Sequence, residues 1–236
     1  MAMTSTTARR LAVLYVLMGL PAWFHLMYVP NRLVVRGDAA ATARNIEAAE
    51  PLYRLGILSG LVSGVFFLFL AVALYELFRD VDRRQARLLV VLVSTSVVVG
   101  LFTLILQAAP LVFGSGAHFL SVFPKPQLDA LSFGFLRLNA LATHVNMAFW
   151  GLWLLPFGLL VRKSGFVPRL IGTLLVVGCF AYLAVSVTYL LFPAQRNLVN
   201  QVAFPFYAIG ELSMIGWLLF RAVRRATVAA PIQEHP

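Results

Sequence analysis

One acidic side chain stands apart because of where it falls. Glu211 lies inside the apolar run 202–220, and counting inward from Arg221 at about 1.5 Å per residue puts it about 15 Å deep, close to a bilayer centre. An ionisable group there costs about 2.5–3.5 kcal/mol on insertion scales, so it needs a partner or a purpose. Ser94, Thr95 and Ser96 fall at a matching depth in the run 88–113, and a neutral Glu211 donating to one of them is cheaper than an isolated carboxylate. Two readings stay open: an interhelical hydrogen bond worth under about 2 kcal/mol, or a proton or cation site.

A second polar layer holds His25, Ser63, Thr103, Thr143, His144 and Asn146, all about 20–28 Å from the same boundary by the same count. Lipid offers these groups no partner, so they are expected to face the interior of a bundle and, with Glu211, to line a polar pocket opening outward. The expected ligand-binding set is Glu211, His144, Asn146, His25, Ser63 and Thr103. His25 and His144, with His118 as a third, are the candidate ligands for a metal or a haem iron. Their spacing lacks any compact motif such as HExxH, and interhelical hydrogen bonding is the plainer role. No metal and no cofactor is predicted.

Several chemistries drop out. Lys125 and Lys163 lie outside the apolar runs, so no lysine can carry a retinal-type Schiff base at mid-membrane. There is no GxSxG nucleophile elbow, no P-loop and no aspartate cluster suited to magnesium-diphosphate chemistry. Gly114-Ser115-Gly116-Ala117-His118 superficially suggests a serine nucleophile but reads better as a flexible loop. Four histidines are too few for a histidine-rich di-iron oxygenase, and a single cysteine, Cys179, excludes an intrachain disulfide or a thiolate cage.

What must position these residues is a set of helices in lipid. Of the 236 residues 61% are hydrophobic and only 12% charged, about half the charged fraction of a soluble domain, and the mean hydropathy is +0.86. The apolar runs are continuous rather than alternating, which selects helices over a closed barrel. Six runs reach the required length: 11–29, 52–78, 88–113, 128–161, 170–192 and 202–220. The expected fold is therefore an all-α polytopic membrane bundle of six transmembrane helices in a single domain, 1–236, with a disordered cytoplasmic tail at 225–236. The first run is too long for a signal-peptide core and lacks a clear cleavage site, so it reads as a retained span.

The net charge of +10 does not indicate nucleic acid. The basic residues sit in short clusters between apolar runs, the pattern expected of cytoplasmic loops. The N-terminus, the 79–87 cluster, Arg162-Lys163 to Arg169, and Arg221 with Arg224-Arg225 fall on one side, which predicts both termini inside, N-in and C-in. In the first outer loop Asp38 is placed to cap a short interfacial helix through Ala49, ended by Pro51. Such a helix bridges two spans or covers an outward cavity. The fourth run would be about 50 Å long as one helix, so its first turns must protrude or tilt, Arg137 must snorkel, and Pro156 should kink its far end. Glu76 is one turn before Arg79, a candidate interfacial ion pair. Trp23, Trp150, Trp153 and Trp217 read as packing or lipid-facing residues. Ser59, Gly60, Ser63 and Gly64 allow close helix contact, within the chain or between chains.

The segment Gly37 to Ile46 followed by Leu52-Tyr53-Arg54-Leu55-Gly56 resembles the outer-loop signature of the bacterial family catalogued as domain of unknown function 4386. The stretch around His144, Gly151 to Pro156, Arg162 to Gly172, and Gly210-Glu211 are similar to it as well, so the likeness covers nearly the whole chain. It implies a multipass protein of a bacterial cytoplasmic (inner) membrane and carries no catalytic residues across.

Three functions fit these residues: binding or transport of a small amphiphile or cation in an outward-facing polar pocket, catalysis on a lipid or isoprenoid with Glu211 or His144 as general acid or base, and a structural or accessory role. The lipid bilayer is the expected partner, with a small-molecule or lipid ligand and no nucleic acid. The oligomeric state is not set by the sequence.

Overall fold

The computed structural model describes residues 4–224, so the expected disordered tail at 225–236, which includes Arg225 and His235, lies outside the described residues. The described chain is helical: α1 (Ser5–Trp23), a π-helical turn (Phe24–Tyr28), α2 (Val29–Leu33), α3 (Ala39–Ala48), α4 (Glu50–Phe78), α5 (Arg83–Gln107), α6 (Ala109–Phe113), a 3₁₀ turn (His118–Leu120), α7 (Lys125–Leu152), α8 (Leu154–Ser164), α9 (Arg169–Leu191) and α10 (Arg196–Arg224). Six continuous stretches of this path are long and apolar enough to cross a membrane: Ser5–Leu33, Glu50–Phe78, Arg83–Phe113, Lys125–Ser164, Arg169–Leu191 and Arg196–Ala222. Each corresponds to one expected run, and the chain is an integral membrane protein.

Local sequence explains where the helices start and break. Thr4, Asp38 and Asp82 cap α1, α3 and α5 by accepting from the amides of Thr7, Ala41 and Gln85 at 3.2, 2.8 and 3.1 Å, which satisfies donors that have no partner within the helix. Pro110 cannot donate to Leu106, and α5 gives way to α6 at Ala108. Pro156 likewise leaves Leu152 without its donor, and the fourth span breaks at Trp153, three residues before the proline. Gly165, at φ +72°, ends α8 in the left-handed region that glycine adopts without a side-chain penalty.

The spans form a ring in chain order. The first span packs on α4, α4 on α5, α5 on α7 and α8, those two on α9, α9 on α10, and α10 returns to α1. One end of the ring carries the start of α1, the α4–α5 turn, the α8–α9 turn and the end of α10, and it holds the basic clusters. Its half of the ring is filled by a dry core drawn from all six spans, including Leu11, Leu74, Phe78, Leu89, Phe157, Leu175 and Leu218. Cys179 is buried in this core.

The opposite end carries α3, which is tied down on three sides. Thr42 accepts from the amide of Val35 at 3.0 Å, Asn45 donates to the carbonyl of Leu33 at 3.2 Å, and Glu47 meets Lys125 at 2.5 Å. Lys125 also reaches Asp129 at 2.9 Å, so α3 is clamped to the first turns of α7. Pro51 falls in the first turn of α4, two residues beyond the C-cap Ala49, and so opens the next helix rather than closing this one. The Tyr53 hydroxyl donates to the carbonyl of Gln107 and joins α4 to the end of α5.

The expected Glu76–Arg79 pair is replaced by two others. Glu76 pairs with Arg10 at 3.5 Å across to α1, while Arg79 turns to Asp80 at 3.9 Å. The α1 helix passes close enough to α4 to offer Glu76 a second cation. The small residues of α4 meet neighbours within the chain: Ser63 donates to the carbonyl of Met18 at 2.9 Å, and a Cβ on Gly60 would come within 3.0 Å of the His25 ring. Arg137 is exposed on α7.

Candidate functional site

Small residues bring α9 and α10 together. A Cβ added to Gly210 would stand 2.9 Å from the carbonyl oxygen of Leu174, and one on Gly178 would stand 3.3 Å from the Cα of Tyr207. Helix backbones this close also bring together the side chains next to those glycines. Glu211 is the next residue after Gly210, and Tyr182 lies one turn beyond Gly178 with its side chain reaching back toward its own helix start, the direction helical side chains take. The two meet: the Tyr182 hydroxyl donates to Glu211 Oε1 at 2.9 Å. Tyr182 is also stacked on Tyr207, with ring centroids 4.2 Å apart, and meets the edge of Trp150 at 6.4 Å.

Glu211 and Tyr182 form one wall of a cavity of about 200 Å³ at the middle of the ring. All six spans contribute to it. Met18 and Ala22 come from α1, and His25 comes from the π-helical turn. Gly60, Ser63, Gly64 and Phe67 lie on α4. Ser96, Gly100 and Thr103 lie on α5, and Thr143, Asn146 and Trp150 lie on α7, with Trp153 at the break in the fourth span. Phe67 and Trp153 meet edge to face at 5.2 Å, so the cavity is aromatic on the side nearest the dry core.

Most of its polar groups are already engaged. Ser96 donates to Asn146 Oδ1 at 3.0 Å, the one buried side-chain pair between α5 and α7 among the described residues. Ser63 donates to Met18 and Thr103 to the carbonyl of Gly100 at 2.7 Å, while His25 Nδ1 stands 3.0 Å from the carbonyl of Gly56. Glu211 is the sole carboxylate among the lining residues, and Tyr182 is its hydrogen-bond donor. Tyr15 on α1 is buried within electrostatic reach of Glu211, and its hydroxyl has no hydrogen-bond partner among the described residues.

A family model described as Domain of unknown function (DUF4386) matches residues 11–222. The chain belongs to this family. No curated protein and no solved structure matches the chain. The DUF4386 match takes in all six spans, and every residue lining the cavity falls inside it.

In this DUF4386 chain the cavity gathers five of the six expected ligand-binding residues: Glu211, Asn146, His25, Ser63 and Thr103. His144 is elsewhere. Its ring stacks on Tyr189 of α9 with centroids 3.5 Å apart, and its Nδ1 stands 2.7 Å from the carbonyl of Ala140. The reason is angular: successive residues of a helix are about 100° apart, so His144 and Asn146 point in nearly opposite directions from α7. Thr143, Asn146, Trp150 and Trp153 follow three- and four-residue steps and share one face, which His144 does not.

The expected partners of Glu211 are also corrected. Ser96 is spent on Asn146, and Thr95 bonds back to the carbonyl of Val91 at 2.9 Å within its own helix. Ser115 donates to the carbonyl of Val112 at 2.7 Å. Among the described residues no group of three or more His, Cys, Asp or Glu side chains is placed to hold a metal ion. Sequence reasoning missed Tyr182, and a tyrosine in mid-span was a usable signal, because its hydroxyl needs a partner wherever lipid surrounds the helix.

Proposed function

We propose that this DUF4386 protein binds a small amphiphilic organic cation, an amine, in its central cavity. In the same proposal it lies in a bacterial cytoplasmic membrane with both termini on the cytoplasmic side, an orientation supported by the basic residues gathered at one end of the ring. The observation that carries the binding reading is a lone carboxylate, Glu211, facing a cavity walled by Phe67, Trp150, Trp153 and Tyr182. An ammonium group gains from both parts, from the carboxylate by charge and from aromatic faces through their quadrupoles. The cavity is smaller than the roughly 300–1,000 Å³ that holds drug-sized ligands, so the guest is correspondingly small.

Catalysis fits the same residues less well. A nucleophile needs a free hydroxyl beside a base, whereas the Ser63, Ser96 and Thr103 hydroxyls donate to Met18, Asn146 and Gly100. The test compares benzylamine with its neutral analogue benzyl alcohol on the purified protein, following tryptophan fluorescence and thermal stability. Benzylamine should bind more tightly, and Glu211→Gln should weaken it by about tenfold or more, as loss of about 1.4 kcal/mol implies, while leaving benzyl alcohol unchanged. Equal binding of the two compounds, or an amine affinity untouched by Glu211→Gln, rules the proposal out.

A further inference from the structure

A second concavity, of about 550 Å³, opens at the basic end of the ring, between the start of α1, the α8–α9 turn and the end of α10. It is remote from Glu211 and shares no lining residue with the central cavity. Its polar rim holds Thr4, Ser5, Arg169 and Arg221, and its apolar side holds Phe166, Trp217 and Phe220. The Arg221 guanidinium lies over the Trp217 ring, 5.6 Å from its centroid, which fixes the direction of that charge.

The charges in this groove are not balanced from within the described chain. Among the described residues, Glu76, Asp80 and Asp82 are the acidic residues near this end, and they pair with Arg10, Arg79 and Lys163. No carboxylate lines the groove among the described residues. Arg169 also begins α9, and no side chain caps that first turn, so its positive end adds to the two arginines.

We infer that this groove is a binding site for the headgroup of an anionic phospholipid, with Arg169 and Arg221 holding the phosphate. Guanidinium groups match phosphate oxygens in geometry as well as charge. The groove's other half is aromatic, and it stands where the apolar helices end, at the level of lipid headgroups, with Leu170 exposed beside it. A headgroup with its glycerol and first methylenes satisfies both halves, whereas a free anion would use only the charged one. This site is independent of the cavity proposal.

The experiment is native mass spectrometry of the full chain equilibrated with an equimolar mixture of phosphatidylglycerol and phosphatidylcholine. The protein should retain phosphatidylglycerol in preference. At about 1 kcal/mol for each basic residue near a membrane surface, the Arg169→Gln/Arg221→Gln double variant should lose that preference by about thirtyfold. Arg137→Gln, which removes an exposed arginine from α7 at the other end of the ring, should keep it. Ser5→Asp leaves both arginines in place and adds an acid where a helix start tolerates one, so it should also lower retention even if the double variant does not fold. Equal retention of the two lipids overturns the inference, as does a double variant or a Ser5→Asp variant that behaves like the parent, or an Arg137→Gln variant that loses as much. Complete displacement of the lipid by excess inorganic phosphate would overturn it as well, assigning the groove to a soluble anion.

Discussion

Gly151 is the point at which the cavity's geometry can be perturbed without replacing a polar side chain. A Cβ at this position would stand 2.8 Å from the carbonyl oxygen of Cys179 and 2.8 Å from Tyr182 Cβ, against the 3.4 Å at which ordinary contact begins. Neither obstacle is the end of a flexible side chain, so Gly151→Ala must push α7 and α9 apart by about half an ångström, a strain of about 1–3 kcal/mol. The alanine recovers up to about 1 kcal/mol of helix preference, which leaves a net loss of about 0–3 kcal/mol in thermal unfolding of the detergent-solubilised protein, and about 1–3 kcal/mol against an unobstructed glycine-to-alanine change. The same displacement moves Tyr182 against Glu211, whose hydrogen bond is 2.9 Å long. A double-mutant cycle with Tyr182→Phe isolates that part, because phenylalanine keeps the Cβ and loses only the hydroxyl. Coupling of about 0.6 kcal/mol is expected, and at most about 1.7 kcal/mol, the mean and the maximum found for hydrogen bonds between membrane helices. Gly216→Ala serves as the control, since nothing lies within 4 Å of its added Cβ, and it should be neutral or slightly stabilising. If Gly151→Ala proves as stable as Gly216→Ala, or if the cycle shows no coupling, then α7 and α9 do not approach this closely and Tyr182 is not held by their contact.

Asp82 should make stability depend on acid. The Lys163 ammonium at 2.6 Å, and then the Gln85 amide, hold its carboxyl below the ordinary aspartate range. A carboxyl with a lowered pKa in the fold stabilises it fully above the unfolded value of about 3.9 and loses that contribution as pH falls through the folded value. Asp82→Asn should therefore flatten the acid limb of a plot of unfolding temperature against pH, and parallel limbs would speak against the pairing. Lys125→Ala removes the cation shared by Glu47 and Asp129. Amide hydrogen exchange across Ala39–Ala48 should then quicken by up to about fivefold, in keeping with an exposed pair worth under about 1 kcal/mol, and unchanged exchange would show that α3 is held by its other contacts alone.

Span number and rough limits could be read from the sequence because lipid imposes them one helix at a time: a run must be long, apolar and bounded by polar residues. Depth was legible for the same reason, and it is why Glu211, Asn146 and Thr103 could be placed in related layers. Rotation about the helix axis was harder to read. His144 has the right depth and the wrong face, and the face could have been seen by extending the Thr143, Asn146, Trp150 and Trp153 stripe instead of judging each residue by itself. Tyr182 could be noticed as a mid-span hydroxyl in need of a partner, but which partner was hidden for another reason. Its approach to Glu211 depends on glycines 178 and 210 drawing two backbones together, and glycines in apolar helices are too common to announce which pair will meet. The change of partner at Glu76 is similar, because Arg10 is sixty-six positions away in the chain and only ring closure brings it near.

That closure has a consequence for synthesis. Among the described residues the other main contacts between spans join neighbours in chain order, while the α1–α10 seam joins the first to the last. A nascent chain can therefore assemble as an arc, hairpin after hairpin, as its helices leave the translation machinery. Tyr15, almost wholly covered in the finished protein, must face lipid or a chaperoning surface until the sixth helix arrives. The acid that defines the cavity is on that last helix, so the cavity is not complete until the whole bundle has been translated.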